Sequence, residues 1–353
     1  VLIEPRDRFV FVPLLYELLS GELKGWEVAP NYASLLQGHG ISHLQDRASS
    51  IDLDTRCVTT TSGRALHYSQ LVLATGAQPA DFGIPGVRDN ALNFHTLSDL
   101  QPLQDRLQEL RRRPSGSSSL VIAGAGATGV ELACKAVDLL NGAATVQLVE
   151  LGDQILPRSK AFNREQAEKA LKKRGVTVHL NTKVDSVTAT SVILSGAQGS
   201  SQLDHDGLIW TAGSRPTIPE ISPKQALHQG RLPVTESLRL QAYPDVLALG
   251  DIAVNPNADL LSSWPHSAQT AIQQGQFAAK ALKAKLQNSE TNAFVFKDLG
   301  EMLSLGVGDA SITGLGLTLA GPLAFKLRRL TYLTRLPGLS LGLRAAGAWL
   351  VSP

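Results

Sequence analysis

The stretch that decides the fold is "LVIAGAGATGVELACKAVDLLNGAATVQLVE", residues 120–150. A short apolar strand meets three glycines in the pattern G-x-G-x-x-G, at Gly124, Gly126 and Gly129. A helix with apolar residues at spacings of three and four follows, and a second apolar strand then ends in Glu150. In such a unit the first glycine permits a tight turn, the second admits a pyrophosphate, and the third lets helix and strand pack closely. This order of elements predicts a dinucleotide-binding unit.

The acid that closes this unit bears on the choice of nucleotide. The helix after the loop directs free N–H groups and its positive dipole end at the phosphates, and a carboxylate at the end of the second strand accepts hydrogen bonds from the ribose. A carboxylate at Glu150 would repel a 2′-phosphate, and the next basic residue is Arg158. The sequence therefore favours NADH and leaves use of NADPH open.

Two features of this unit occur a second time in the chain. The opening "VLIEP" (1–5) resembles "VQLVE" (146–150), and the strand and turn "LVLATGAQP" (71–79) resembles "GLIWTAGSRP" (207–216). We therefore expect an α/β fold with two nested Rossmann-like dinucleotide-binding domains, the second inserted into the first. If Glu4 closes a unit of the same spacing, the first strand and glycine loop of that unit precede residue 1. The alternative is a complete protein whose first strand happens to end in an acid.

A late strand should return the chain to the first domain. The stretch "DVLALGDIA" (245–253) is a strand followed by Gly250 and Asp251. An aspartate at such a strand end can accept hydrogen bonds from a polyol chain, while the preceding glycine allows close approach of the backbone. The alternative is an ordinary Gly-Asp turn without a ligand.

Composition excludes several classes of protein. The net charge of +2 gives no indication of nucleic-acid binding. Cys57 and Cys134 form no C-x-x-C pair, which argues against a dithiol relay. The long uncharged stretch 310–325 is interrupted by glycines and a proline and falls short of the roughly 18–20 apolar residues that span a bilayer. The sequence predicts no metal site.

The end of the chain is basic and rich in leucine, with no acid after Asp309. The segment 321–350 contains a leucine stripe at Leu323, Leu327, Leu330 and Leu333, cations at Arg328, Arg329 and Arg335, and interface-type aromatic residues at Tyr332 and Trp349. This pattern predicts a helix lying on a membrane, with its apolar face in the lipid boundary. The alternative is a helix packed on the protein or on a partner subunit, so homodimer formation stays open.

Several stretches together resemble one enzyme family. They are "FVFVPLLYELLSGEL" (9–23), "GAGATGVELA" (124–133) and "SAQTAIQQGQFAAKAL" (267–282), with "EVAP" (27–30) and "FNREQA" (162–167). The chain resembles the type II NADH dehydrogenases, NAD(P)H:quinone oxidoreductases of the two-dinucleotide-domain flavoprotein superfamily, in their cyanobacterial and plastid branch. The resemblance covers nearly the whole chain. A departure is the missing phosphate loop for FAD, which puts flavin retention by this chain in doubt.

The resemblance implies that NADH passes hydride to FAD, which then reduces a membrane quinone of the plastoquinone, ubiquinone or naphthoquinone type. It implies a peripheral membrane protein on the cytoplasmic face that pumps no protons. The divisions it implies are 1–97 and 232–290 for the two parts of the FAD-binding domain, 98–231 for the NAD(P)H-binding domain, and 291–353 for a C-terminal membrane-anchoring region. Competing functions are a soluble flavin reductase with another acceptor, or a nucleotide-binding redox sensor without turnover.

The resemblance also assigns roles to individual residues. For FAD they are Glu4 at the adenosine ribose, Thr75 and Gly76 at the flavin nucleotide, Gly250 and Asp251 at the ribityl chain, and Pro13 and Leu14 at the isoalloxazine ring. Glu131 and Gly213 would lie near the nicotinamide. The alternative for Glu131 is an exposed acid in the first turn, where it favours the helix dipole.

Two glutamines are the candidates for the quinone side. Gln269 and Gln273 are four residues apart and so share a helix face. An amide can both donate and accept, as a quinone carbonyl and its reduced hydroxyl require in turn. The alternative is a solvated polar stripe.

Overall fold

The structure is a computed structural model that describes residues 1–197, 199–257, 264–289 and 292–351. Its chain divides into two compact units. Unit 1 comprises Val1–Asp7, Leu36–Gln78 and Ser214–Asp298, and unit 2 comprises Arg8–Leu35, Pro79–Gly213 and Leu299–Pro353. Unit 2 contains the glycine loop and also the end of the chain.

Helices and strands both occur along the described residues, as expected for an α/β protein. The helices are α1 Leu15–Leu19, α2 Gly25–Val28, α3 Tyr32–Leu36, α4 Val87–Asn90, α5 Leu97–Arg112, α6 Ala127–Leu140, α7 Ala161–Lys173, α8 Ala268–Leu286, α9 Pro322–Leu333 and α10 Leu339–Val351. The strands up to the glycine loop are β1 Leu2–Ile3, β2 His43–Leu44, β3 Ala48–Asp52, β4 Cys57–Thr60, β5 Ala65–His67, β6 Leu71–Leu73, β7 Ala77–Pro79 and β8 Ser118–Ala123. The later strands are β9 Ala144–Val149, β10 Thr177–His179, β11 Lys183–Val187, β12 Ser191–Gly196, β13 Gly199–Asp204, β14 Gly207–Trp210, β15 Ser214–Pro216, β16 Glu220–Ser222, β17 Leu232–Pro233, β18 Val246–Ala248, β19 Ala253–Val254, β20 Glu301–Ser304, β21 Ala310–Gly314 and β22 Leu317–Ala320.

The centre of unit 2 is a parallel sheet in the order β10-β9-β8-β14. This is the 3-2-1-4 order of a Rossmann half, with β8 as its first strand. Residues Leu120–Ile122 of β8 are completely buried, because helices cover a parallel sheet on both faces. The helix α6, which follows β8, contributes Leu132 and Cys134 to the same core. The predicted strand–loop–helix–strand unit is therefore confirmed.

A three-stranded antiparallel sheet, β20-β21-β22, belongs to unit 2 as well. Its residues Leu303 and Leu305 are buried in the same hydrophobic core as α6. At Gly306 an added Cβ would lie 2.2 Å from a guanidinium nitrogen of Arg174 and 2.3 Å from a carboxylate oxygen of Asp138, so only glycine fits. The sheet is thus packed tightly against the nucleotide-binding part of unit 2.

Unit 1 has its own hydrophobic core. Its sheet has the order β16-β3-β4-β5, and the strand β18 pairs in parallel with β6. Leu247 and Ala248 of β18 are completely buried in this core. The stretch 245–253 therefore returns to the unit that contains 36–78, as the sequence predicts.

The C-terminal segment differs from the single membrane-lying helix that the sequence suggests. It forms α9 and α10, which are separate helices joined near Pro337. Leu336, between the helices, and Leu341 and Ala345 of α10 are buried in a cluster with Phe11 and Leu14, and Leu333 of α9 packs on the same cluster. One side of the pair therefore packs on unit 2.

Candidate nucleotide-binding site

The glycine loop has the geometry that a phosphate needs. Gly124 has a φ of +100°, and an added Cβ there would lie 2.7 Å from the Ala212 backbone. A Cβ on Gly129 would lie 1.8 Å from the carbonyl oxygen of Gly124. A Cβ on Gly126, the residue preceding α6, would meet no protein atom within 4 Å. The outer two glycines are required by packing, whereas the central one leaves space beside the helix N-terminus for a pyrophosphate.

Glu150 closes this loop. One of its carboxylate oxygens accepts a hydrogen bond of 2.6 Å from the backbone N–H of Ala125, and the other accepts one of 2.8 Å from Gly152. The acid is therefore fixed beside the loop, at the carboxyl end of β9. This placement fits a nucleotide whose ribose hydroxyls the carboxylate would bind.

Glu131, in the first turns of α6, is not the exposed acid of the alternative interpretation. It is 6% exposed, and its carboxylate accepts a 2.6 Å hydrogen bond from the N–H of Ser304. Burial raises its pKa to about 7, although Arg328, at 3.9 Å, the Ser304 N–H and Tyr16 act in the opposite direction. Burial and the Glu131 charge also raise the pKa of Tyr16. Glu131 can therefore exchange a proton near neutral pH.

The sequence analysis missed the acid that pairs with Arg328. Glu17 and Arg328 form an ion pair whose side chains are 0% and 1% exposed. Arg328 also donates a 2.8 Å hydrogen bond to the carbonyl of Pro13, and its guanidinium lies 4.8 Å from the centre of the Tyr332 ring. Arg328 is therefore not the headgroup-facing cation that the sequence suggests, because its side chain is buried beside Glu17. Tyr332 is partly buried against it, and its place at a membrane interface stays a prediction.

The two candidate isoalloxazine contacts differ in accessibility. Leu14 is completely buried, in a cluster with Phe11 and Val28. Pro13 is partly exposed, and its carbonyl is fixed by Arg328. Pro13 is thus the residue of the pair that has side-chain surface available for a ligand.

The candidate nicotinamide residue Gly213 lies under an aromatic ring. Its φ is +150°, and an added Cβ would lie 2.8 Å from the ring of Phe82. Phe82 itself has a φ of +51° and is 64% exposed, which is unusual for a large apolar residue. The two residues leave no room for any side chain at position 213.

In unit 1, the turn at Gly250 and Asp251 is held from two sides. The N–H of Gly250 donates a 2.7 Å hydrogen bond to Oε1 of Gln274, and the side chain of Arg231 donates one of 3.0 Å to the carbonyl of Asp251. Gly250 has a φ of +67°, and an added Cβ would touch only Ala271, at 3.5 Å. This positive φ and the open space above the turn fit a ligand that approaches the backbone closely.

The other candidate flavin contacts also lie in unit 1. The Glu4 carboxylate accepts hydrogen bonds of 2.7 and 3.0 Å from the Arg6 side chain. Burial opposes ionisation of Glu4, but the hydrogen bonds and charge of Arg6 outweigh it and lower its pKa. The Thr75 hydroxyl donates to the carbonyl of Thr217, and the neighbouring Gly76 has a φ of +66° with open space around it. Glu4 is thus an ionised acceptor, as a ribose contact requires.

The paired glutamines do share a face of α8. Nε2 of Gln273 donates to Oε1 of Gln269 at 3.4 Å and to the carbonyl of Lys297 at 2.9 Å, while Oε1 of Gln273 accepts from the Lys297 N–H at 3.0 Å. The amide of Gln273 is therefore engaged with the backbone at Lys297. The Gln273 amide thus contacts Gln269 and the Lys297 backbone, and is not free to bind a ligand in solvent.

With this geometry established, comparison with known proteins identifies the family. The family profile described as pyridine nucleotide-disulphide oxidoreductase matches residues 1–275. The chain belongs to this family.

Relatives within and around the pyridine nucleotide-disulphide oxidoreductases include named quinone reductases. The demethylphylloquinone reductase NdbB of Synechocystis sp. is 35% identical over 360 aligned positions, which cover 100% of this chain and 88% of that protein. The alternative NAD(P)H-ubiquinone oxidoreductase C1 of Arabidopsis thaliana is 34% identical over 377 positions, which cover 96% and 72%. The structure of NDH2 from Plasmodium falciparum in complex with NADH superposes with a TM-score of 0.85 at 17% identity, covering 99% of this chain and 92% of that one. This similarity confirms the fold of two dinucleotide-binding domains.

Further features distinguish this member of the pyridine nucleotide-disulphide oxidoreductases. Cys134 is buried, and burial raises its pKa to about 12, so this thiol is held protonated. Among the residues that the structure describes, no group of acids, histidines and cysteines could hold a metal ion. Within the same residues, every helix is too short or too polar to cross a membrane.

The aromatic residues at the C-terminus are also part of unit 2. The indole N–H of Trp349 donates a 2.6 Å hydrogen bond to Glu27, and Arg329 lies 4.5 Å from the centre of the Trp349 ring. Trp349 is thus held by Glu27 and Arg329 while it stays partly exposed, and its place at a membrane interface stays a prediction. Exposed apolar side chains after residue 310 include Leu315, Leu317, Leu323, Leu330 and Leu343.

Proposed function

We propose that this protein is an FAD-dependent NAD(P)H:quinone oxidoreductase, in which NADH, a proton and a quinone yield NAD⁺ and hydroquinone. The observation that carries the proposal is the nucleotide loop, closed by the carboxylate of Glu150 and open at Gly126. Support for the quinone comes from the demethylphylloquinone reductase and the ubiquinone oxidoreductase that align along nearly the whole chain.

The chemistry that FAD supplies when bound is acceptance of hydride from NADH and delivery of two electrons to the quinone. Its proposed contacts are Glu4, Pro13, Thr75, Gly76, Gly250 and Asp251, in the parts of the chain assigned to FAD binding, 1–97 and 232–290. Leu14, which is completely buried, would support Pro13 from behind. Residues 98–231 bind NADH, which the Glu150 carboxylate favours over NADPH.

The remaining steps belong to side chains of this protein. Glu131, with a pKa of about 7, holds or releases a proton at its carboxylate beside the nicotinamide half of the site. Gly213 is assigned to the same half, where the Phe82 ring covers it and would have to move aside for the nicotinamide. We assign contact with the quinone to Gln269 and orientation of that amide to Gln273, because the Gln273 amide is engaged with Lys297.

Attachment to the membrane is proposed for the C-terminal region 291–353, with a revised contact surface. The exposed leucines Leu323, Leu330 and Leu343 would enter the lipid boundary, and the exposed cations Lys326 and Arg344 would lie near anionic headgroups. We propose a peripheral position on the cytoplasmic face, with which a homodimer is compatible. Flotation with anionic vesicles tests this surface. The double substitution Leu323→Glu and Leu330→Glu should abolish binding of the protein to the vesicles. A charge placed on the buried side of the helices would instead unfold the protein.

The test of the enzyme proposal uses the full-length protein. Adding NADH without oxygen should bleach its flavin absorption, and a short-chain quinone should restore the absorption. Restoration by an iron–sulfur protein but not by quinone would favour the soluble flavin reductase. If NADH does not bleach the flavin absorption, the enzyme proposal is contradicted and the nucleotide-binding sensor remains as the function.

A further inference from the structure

A third glutamine of α8 has a feature that its neighbours lack. Gln274 is completely buried, and its Oε1 accepts the 2.7 Å hydrogen bond from the N–H of Gly250. The Nε2 of the same amide is buried and has no hydrogen-bond partner among the described residues. A buried amide donor without a partner is costly, and such groups are rare unless a ligand or an ordered water completes them.

The position of this donor indicates what completes it. Gly250 and Asp251 form the turn that is fixed by Gln274 on one side and by Arg231 on the other. The carboxylate of Asp251 can only accept hydrogen bonds, whereas Nε2 of Gln274 can only donate them. A donor on Gln274 and an acceptor on Asp251, both belonging to this turn, suit a ligand that carries hydroxyl groups together with carbonyl, ether or phosphate oxygens.

We propose that Gln274 is a cofactor-binding residue whose Nε2 donates a hydrogen bond to an oxygen of the ligand at the Gly250–Asp251 turn. This inference rests on the proposed function, under which that ligand is FAD. Gln274 thus acts on the flavin, not on the quinone that is assigned to Gln269.

A purely structural role for Gln274 would require only its acceptor oxygen. If the side chain served only to accept the hydrogen bond from the N–H of Gly250, any side chain with an oxygen at the same place would suffice. The substitution Gln274→Glu separates the two roles, because a carboxyl group keeps that acceptor. It retains a donor, as O–H, only while it is protonated. The matched control is Gln276→Glu, which changes an exposed residue of the same helix in the same way.

The measurement is the affinity for added FAD of the full-length protein freed of flavin, followed by quenching of flavin fluorescence. Burial of this site should raise the pKa of a carboxyl placed there well above its ordinary value of about 4.3, so that the carboxyl is protonated at about pH 5.5 and ionised at about pH 8.5. We expect Gln274→Glu to bind FAD about as the wild type does at the lower pH, and about tenfold or more weakly at the higher pH. Gln274→Met, which has neither group, should bind FAD weakly at both pH values. Gln276→Glu should match the wild type throughout.

Wild-type affinity of Gln274→Glu at both pH values would overturn the inference and leave the proposed function standing. NADH binding is the second readout. The glycine loop at Gly124–Gly129 is in unit 2, so a change confined to the FAD contact in unit 1 should leave NADH binding intact. Loss of NADH and FAD binding together in the variants would mean that the side chain supports the fold, and would also overturn it. If the full-length wild type binds no FAD, the proposed function fails as well.

Discussion

Replacing Arg328 by Met should destabilise unit 2 by about 3–5 kcal/mol, the usual effect of removing one partner from a buried ion pair. Both side chains of the pair are at most 1% exposed, so Glu17 would be left charged, or would have to be protonated, in the interior. Methionine nearly fills the volume of the arginine stem, so a cavity adds little. The lost contact with the Tyr332 ring, at 4.8 Å, adds about 0.5–2 kcal/mol.

The assay is equilibrium unfolding in urea, followed by fluorescence of Trp26 and Trp349, which lie in the same cluster as the C-terminal helices. Glu17→Leu combined with Arg328→Met should recover most of the loss, because a buried pair replaced by apolar residues is often neutral or stabilising. Lys326→Met, which removes an exposed cation of the same helix, is the control. A loss below about 1 kcal/mol for Arg328→Met, or a double variant less stable than the single one, would refute this account of the pair.

Three further predictions concern the nucleotide side. The pKa of Glu131 is raised from 4.5 to about 7 in the folded protein, so the folded state favours the protonated carboxyl. The free energy of unfolding should therefore fall as the pH rises from about 4.5 to about 7. In unfolding experiments at several pH values, Glu131→Gln should remove this dependence. Gly129→Ala should destabilise the protein and abolish NADH binding, whereas Gly126→Ala should keep the melting temperature and weaken only NADH binding, as calorimetry can show. Glu150→Gln should raise the ratio of NADPH to NADH oxidation, and an unchanged ratio would show that this carboxylate does not select the coenzyme.

The nucleotide loop could be predicted from sequence because its determinants are local. The glycines, the helix α6 and Glu150 lie within 120–150. The close packing of Gly129 on the Gly124 carbonyl and the hydrogen bond from Ala125 to Glu150 are both made within this stretch, whereas the contact of Gly124 with Ala212 is not. The return strand at 245–253 was predictable for a related reason. A buried strand that ends in Gly-Asp has few places to pair, and it pairs with β6.

The orientation of the C-terminal helices could not be predicted in this way. An amphipathic stripe shows that one side of a helix is buried but not which partner buries it. Glu17, the partner of Arg328, is 311 residues away in sequence and lies in an apolar run that gives no indication of a paired charge. The boundary between the two helices does have a sequence signal, because Pro337 cannot continue a helix and so divides the segment into α9 and α10.

Gln274 was overlooked for a different reason. The spacing of four that links Gln269 with Gln273 also links Thr270 with Gln274, and Thr270, Gln274, Ala278 and Ala281 form the buried face of α8. A polar residue in line with buried alanines is a sequence signal for a structural or ligand-binding amide. Only the observed contact with Gly250 shows which turn that amide serves.

The close fit of Gly306 between Asp138 and Arg174 limits how this protein can be re-engineered. The chain after residue 299 cannot be exchanged independently of the rest of unit 2, because Leu303 and Leu305 are buried in the same core as α6. A chimera that carries the C-terminal part of another relative must also receive that relative's surface of α6 and α7. Without this matched surface, the grafted sheet would not pack against α6 and α7.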